Sequence, residues 1–155
     1  MDTIHTRHSH GARTARRSPM QTASLVVGVV FLVVGVLGFV PGVTSNVDQL
    51  QFAGHQSDAM LLGVFEVSVL HNIVHLLFGV AGIALARTWQ GARSFLLGGG
   101  AVYLVLWLYG MLIGHDTAAN FVPLNSADNW LHLLLGAGMI ALGLLLGRRA
   151  VTERL

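Results

Sequence analysis

The chain has 155 residues, of which 54% are hydrophobic and only 10% charged, and its mean hydropathy is +0.67. That is the composition of a membrane protein. The net charge of +2 comes from nine arginines without a lysine, and the absence of cysteine excludes disulfides, thiolate metal sites, iron–sulfur clusters and cysteine nucleophiles.

Residues 1–20 (MDTIHTRHSHGARTARRSPM) lack apolar periodicity and are rich in Arg, His, Ser and Thr, so they read as a disordered cytoplasmic tail. His5, His8 and His10 read as solvated side chains of that tail rather than as a metal site. A membrane domain over 21–147 follows, with helices expected at about 23–40, 62–86, 94–114 and 128–146, and 148–155 form a second cytoplasmic tail. Each apolar run approaches the roughly 20 residues that carry a helix across about 30 Å of hydrocarbon. The first run follows Arg16 and Arg17 as the core of a signal peptide does. It is longer than the usual 7 to 15 or so residues, and no small-x-small site follows Val40, so it is read as a transmembrane helix.

Helix one carries Gly28 and Gly35 on one side and ends at Pro41-Gly42. A first outer loop holds Asp48, Gln49, Gln51, His55 and Asp58. Helix three is aromatic, with Tyr103, Trp107 and Tyr109, and its Gly98–Gly100 run suits close packing or a kink rather than phosphate binding. A second outer loop, HDTAANFVPLNSADN, leads into helix four. The arginines lie before helix one, between helices two and three (Arg87, Arg93) and after helix four (Arg148, Arg149, Arg154), while the other two loops have none. The positive-inside rule then places both termini in the cytoplasm, in the plasma membrane. Contact of the basic ends with anionic lipid accounts for the arginines without nucleic acid.

Helices two and four repeat one another. Ser68, His71, Asn72, His75, Leu76, Leu77 and Gly79 correspond, 57 positions on, to Asn125, Asp128, Asn129, His132, Leu133, Leu134 and Gly136. The fold class expected is therefore all-α: a four-helix transmembrane bundle made of two helix-pair repeats of parallel topology. At 100° per residue, Ser68, Asn72, His75, Gly79 and Gly82 share one stripe, and Asn125, Asn129, His132, Gly136, Gly143 and Gly147 share another. Small residues mark a surface for close helix approach, so these stripes face protein, in the outer half of the bundle. His71 and Asp128 sit about 40° aside, each an i,i+4 neighbour of a stripe histidine.

Polar groups in a span are costly and point to function or to a clamp. As a structural clamp, Asn72 and Asn129 bridge helices, assisted by Ser68 and Asn125, the histidines donate to carbonyls, and Asp128 caps helix four. As a metal site, His71, His75, Asp128 and His132 supply four ligands to a transition metal, with the asparagines orienting the rings. As a haem protein, His75 and His132 bind haem b axially, and the glycine four residues after each gives the porphyrin room. A fourth reading is transport or proton relay through Asp128, His132, His75 and Glu66, with His115 and Asp116 nearby; a pore through so narrow a bundle requires a homo-oligomer. HExxH, GxSxG, GxGxxG and phosphate-loop motifs are all missing, so the sequence leans away from an enzyme.

The segments GFVPG, LLGVFEVSVLHNIVHLLFGVAG and NSADNWLHLLLGAGMIALG together resemble a family of small four-helix membrane proteins, frequent in actinobacteria, that is catalogued only as a domain of unknown function. The resemblance covers nearly the whole chain beyond the tail. It rests on the HNxxH motif of His71, Asn72 and His75 and the DNxLH motif of Asp128, Asn129 and His132. Ser68 stands where the family pattern favours Asn, the residue present at the matched Asn125. The resemblance implies membership and membrane location and brings no activity.

Overall fold

The computed structural model describes residues 16–54, 56–115 and 117–152. The histidine-bearing part of the N-terminal tail, His55, Asp116 and Arg154 lie outside the described residues. Four helices, α1 (Pro19–Leu37), α2 (Val69–Leu85), α3 (Trp89–Leu112) and α4 (Ser126–Thr152), form an all-α bundle. A small antiparallel sheet of β1 (Thr44–Ser45), β2 (Met60–Leu61) and β3 (Phe65–Glu66), in that order, lies between α1 and α2 in sequence.

The local chemistry sets where the helices start. Ser18 caps α1 in a reciprocal box with Gln21, and Pro19 takes the first helical position, where its missing N–H is no loss. Thr88 Oγ1 accepts the Gly91 amide at 3.0 Å, so α3 begins at Trp89 and the polar stretch before Ser94 is already helical. Helix two begins later than its apolar run suggests. Leu62 and Gly63 both have positive φ (55° and 70°) and turn the chain back, pairing Leu61 with Phe65, and only then does Ser68 open α2. An apolar run cannot distinguish a short buried hairpin from a first helical turn by periodicity, and the segment before Ser68 is one. At its far end α4 continues through Thr152, past the expected stop at 146.

Three helices (Pro19–Leu37, Trp89–Leu112 and Ser126–Arg148) are long and apolar enough to cross a membrane; α2, with 17 residues, is a shorter apolar helix. Their outward faces are aliphatic: Val26, Val33, Leu77, Val80, Val105, Leu134 and Leu145 are all about half exposed or more. A continuous apolar exterior of this kind belongs in lipid.

Helices α1 and α2 pack as one pair and α3 and α4 as another, through glycine. A Cβ on Gly28 would meet the Ile83 amide at 2.8 Å, and one on Gly100 would meet the Gly136 carbonyl at 2.8 Å. Backbone approach this close is open only to glycine. Ser24 Oγ donates to the Gly82 carbonyl at 2.9 Å and Gln21 Nε2 to the Arg87 carbonyl, fixing the start of α1 on the end of α2. The two pairs meet around Met20, Phe31, Ala92, Phe95, Leu96, Tyr103 and Met139. The arginine-bearing helix ends gather at one end of the bundle, where Arg93 lies against Gly147. The sheet and the polar residues of α2 and α4 occupy the other.

Candidate functional site

Burial follows the polar stripes. The buried residues of α2 are His71, Asn72, His75, Gly79 and Gly82. In α4, Asp128, Asn129, His132, Gly136, Gly143 and Gly147 are buried. None of the six motif residues is more than 8% exposed.

The two helix starts are built alike. Ser68 Oγ accepts the His71 amide at 3.1 Å and caps α2. Asn125 Oδ1 accepts the Asp128 amide at 3.0 Å, and Asp128 Oδ2 returns the favour to the Asn125 amide at 3.1 Å, a reciprocal box. The same Asp128 oxygen accepts the Glu66 amide at 3.1 Å, and Asn125 Nδ2 donates to the Val64 carbonyl at 2.8 Å. Helix α4 is thereby bonded to the β2–β3 hairpin.

One turn further, each asparagine side chain occupies the space that a glycine leaves open on the partner helix. Asn72 lies against Gly38 and Asn129 against Gly110, where a Cβ would overlap the amide. Asn129 Nδ2 donates to the Gly110 carbonyl at 3.0 Å and lies 3.4 Å from His115 Nε2. Among the described residues, Asn72 Nδ2 and Asn129 Oδ1 have no hydrogen-bond partner.

The histidines sit deeper, among aromatic rings. His71 and His75 stack with centroids 4.6 Å apart, and His71 and His132 are 6.3 Å apart. His75 packs on Phe31 at 5.7 Å, His132 on Tyr103 at 5.1 Å, and Phe31 stacks on Tyr103 at 5.3 Å. His75 Nδ1 is 3.1 Å from the His71 carbonyl; a carbonyl only accepts, so this nitrogen carries the ring hydrogen. Among the described residues, His71 Nδ1 and His132 Nδ1 are buried without a partner. Both rings, with His75 and Asp128, line a cavity of about 90 Å³ whose other walls are Val34, Leu61, Leu62, Phe65, Val67 and Leu131.

This geometry bears on the cofactor readings. Haem does not fit between His75 and His132. Phe31 and Tyr103 pack against the two rings, the spaces at Gly79 and Gly136 are filled by Leu32 and by Leu104 with the Gly100 backbone, and the cavity is far below the roughly 300–1,000 Å³ of ordinary ligand pockets. Among the described residues, no three His, Asp or Glu side chains are arranged around one metal position. Glu66, an expected relay member, lies in β3, off the stripe of α2.

Sequence reasoning gave Tyr103 only as aromatic bulk of helix three, and it missed Phe31, the β2–β3 hairpin and the glycines facing the asparagines. One signal was available: Gly28 and Gly100, Phe31 and Tyr103, Leu32 and Leu104, and Gly38 and Gly110 are all 72 positions apart. That register differs from the 57 of helices two and four because the second outer loop is shorter.

No curated protein and no solved structure matches the chain. Residues 21–145, a span that includes every residue of the HNxxH and DNxLH motifs, match the family described as Domain of unknown function (DUF4383). The chain belongs to that family.

Proposed function

We propose that this chain is a small integral plasma-membrane protein that binds a small ligand in its outer half, in a chamber walled by His71, His75, Asp128 and His132. Ser68, Asn72, Asn125 and Asn129 act as the clamp that holds the chamber's helices in register. The observation that carries this reading is a pair of buried imidazole nitrogens, unpartnered among the described residues, on two histidines that line one cavity. Buried polar atoms are nearly always satisfied, and an exception calls for a bound water, ion or ligand. Two parallel-topology repeats, α1–α2 and α3–α4, supply one half of the chamber each, as the matched registers support. Both termini lie in the cytoplasm, with the arginines at anionic lipid, which agrees with their gathering at the end opposite the cluster. The reading is one of binding rather than catalysis.

The test is the thermal unfolding of the purified full chain in detergent, with and without small cations, transition-metal salts and small neutral hydrogen-bond donors. Binding to the folded state raises the unfolding temperature. At least one class is expected to raise it for the wild type and to leave His71→Leu and His132→Leu unmoved. No shift with any class overturns the binding reading and leaves the clamp alone. Elemental analysis of the same sample decides the metal reading, because a stoichiometric metal lost in His132→Leu would make the four side chains its ligands.

A further inference from the structure

The β2–β3 hairpin presents a different surface from the loop that leads into it. In that loop Asp48, Gln49, Gln51 and Asp58 are exposed, whereas the exposed residues of the hairpin are Leu62, Gly63 and Val64, its tip. Leu62 is 65% and Val64 47% exposed. Glu66, the one charged residue of the hairpin, is half-buried at its base, where its amide is bonded to Asp128. Two bare aliphatic side chains on a turn are costly in water and cost nothing in hydrocarbon.

The backbone is suited to such a place. Gly63 donates to the Met60 carbonyl at 3.2 Å and Val64 to the Leu61 carbonyl at 3.1 Å, which closes the turn; at the edges Leu62 donates to the Val43 carbonyl and Val67 to the Ala59 carbonyl. Polar side chains take groups that the strands leave over. Ser45 Oγ donates to the Met60 carbonyl, Ser57 Oγ to the Val67 carbonyl and Asn125 Nδ2 to the Val64 carbonyl, and Asp128 accepts the Glu66 amide. Non-helical backbone is tolerated at membrane depth only where the protein itself satisfies it.

Helix lengths give the depth. With 17 residues α2 is roughly 25 Å long, short of the roughly 30 Å of hydrocarbon, while the 23 residues of Ser126–Arg148 in α4 run for roughly 34 Å. Both helices end toward the arginines. At the other end the hairpin is bonded to Asn125 and Asp128 at the start of α4, so it fills the length by which α2 falls short. Its inner side, Leu61 and Val67, packs against Val34 and Leu37 of α1, a helix long enough to cross. Trp130, 59% exposed and in the second turn of α4, is an aromatic of the kind that marks the hydrocarbon boundary, close to this level.

We infer that the β2–β3 hairpin is a membrane-inserted element whose tip, Leu62 to Val64, is a contact surface for the upper acyl chains of the leaflet opposite the arginines. Leu61, Leu62, Phe65 and Val67 also line the cavity, so the hairpin stands between the chamber and the bilayer. The inference goes beyond the binding reading and holds whether or not the chamber takes a ligand.

Nitroxide labels test it, since the chain has no cysteine of its own. Leu62→Cys and Val64→Cys are labelled in the full chain and reconstituted in vesicles of phosphatidylcholine and phosphatidylglycerol, with Asp48→Cys as the aqueous reference and Leu134→Cys, at a 69% exposed position on α4, as the hydrocarbon reference. Collision with oxygen relative to a water-soluble nickel chelate is expected to be several-fold higher at both tip sites than at Asp48, and highest at Leu134. Either tip site matching Asp48 overturns the inference and makes the hairpin a solvent-facing cap. The unmodified chain supplies a second reading: a carbene generated from a lipid-dissolved diazirine is expected to mark the peptide containing Met60–Val67. Marking of α1 and α4 without that peptide overturns the inference as well.

Discussion

The starts of α2 and α4 use matched positions differently. Both open with a capping side chain, Ser68 or Asn125, and both place an asparagine against a glycine one turn on. They part at the third helical position. Asp128 accepts two backbone amides and ties α4 to the β2–β3 hairpin, while His71 Nδ1 has no partner among the described residues. One member of the pair ties two elements together and the other leaves a ring nitrogen without a partner among the described residues.

Breaking the glycine seams should have the largest effect, and an equal one in the α1–α2 and α3–α4 pairs. Gly28→Ala and Gly100→Ala each drive a methyl group into backbone atoms 2.8 Å away, where no side chain can yield. Each is expected to destabilise by about 1–3 kcal/mol or more, read as a lower unfolding temperature in detergent. Equivalence of the two losses supports the repeat; a loss confined to one pair contradicts it.

Asp128→Ala comes next, and it separates the two starts most sharply. It removes the reciprocal box and frees the Glu66 amide, at an expected cost of about 2 kcal/mol. Ser68→Ala, which removes only the cap of α2, should cost about 1 kcal/mol. Hydrogen exchange should then show the Glu66 amide opening in the first variant and not in the second.

Asn129→Leu loses the bond to the Gly110 carbonyl, worth on average about 0.6 kcal/mol between membrane helices, and forces a branched side chain against a glycine backbone. Ser68→Asn, which gives α2 the cap that α4 has, should change stability by only a few tenths of a kcal/mol, since the two residues cap about equally well. An unfolding curve that separates Ser68→Asn clearly from wild type would show that the departure at this position has a purpose beyond capping.

The sequence made the helices and their buried faces legible because both follow from period. A stripe containing Asn72, His75, Gly79 and Gly82 in an oily run has only one reason to exist, close contact with protein, and these residues are buried. It made the sheet illegible, because Met60–Glu66 is as apolar as the helix it precedes and only the positive φ at Leu62 and Gly63 reveals the turn. The haem reading failed for a related reason. A glycine four residues after a histidine predicts space on a helix surface, but not what fills it, and here Leu32 and Leu104 do. The aromatic bridge from His75 through Phe31 and Tyr103 to His132 depends on α1 and α3, where only four pairs of positions match against a background of valine and leucine.

The central claim is that His71 and His132 are held for a ligand and not for the fold. The unfolding temperature of the ligand-free double variant His71→Leu/His132→Leu measures it most directly. Each substitution removes an Nδ1 that is unpartnered among the described residues and leaves an apolar group of similar size, so the unfolding temperature is expected to fall by clearly less than in Gly28→Ala. A fall as large as that of Gly28→Ala would contradict the account and make the two imidazoles structural.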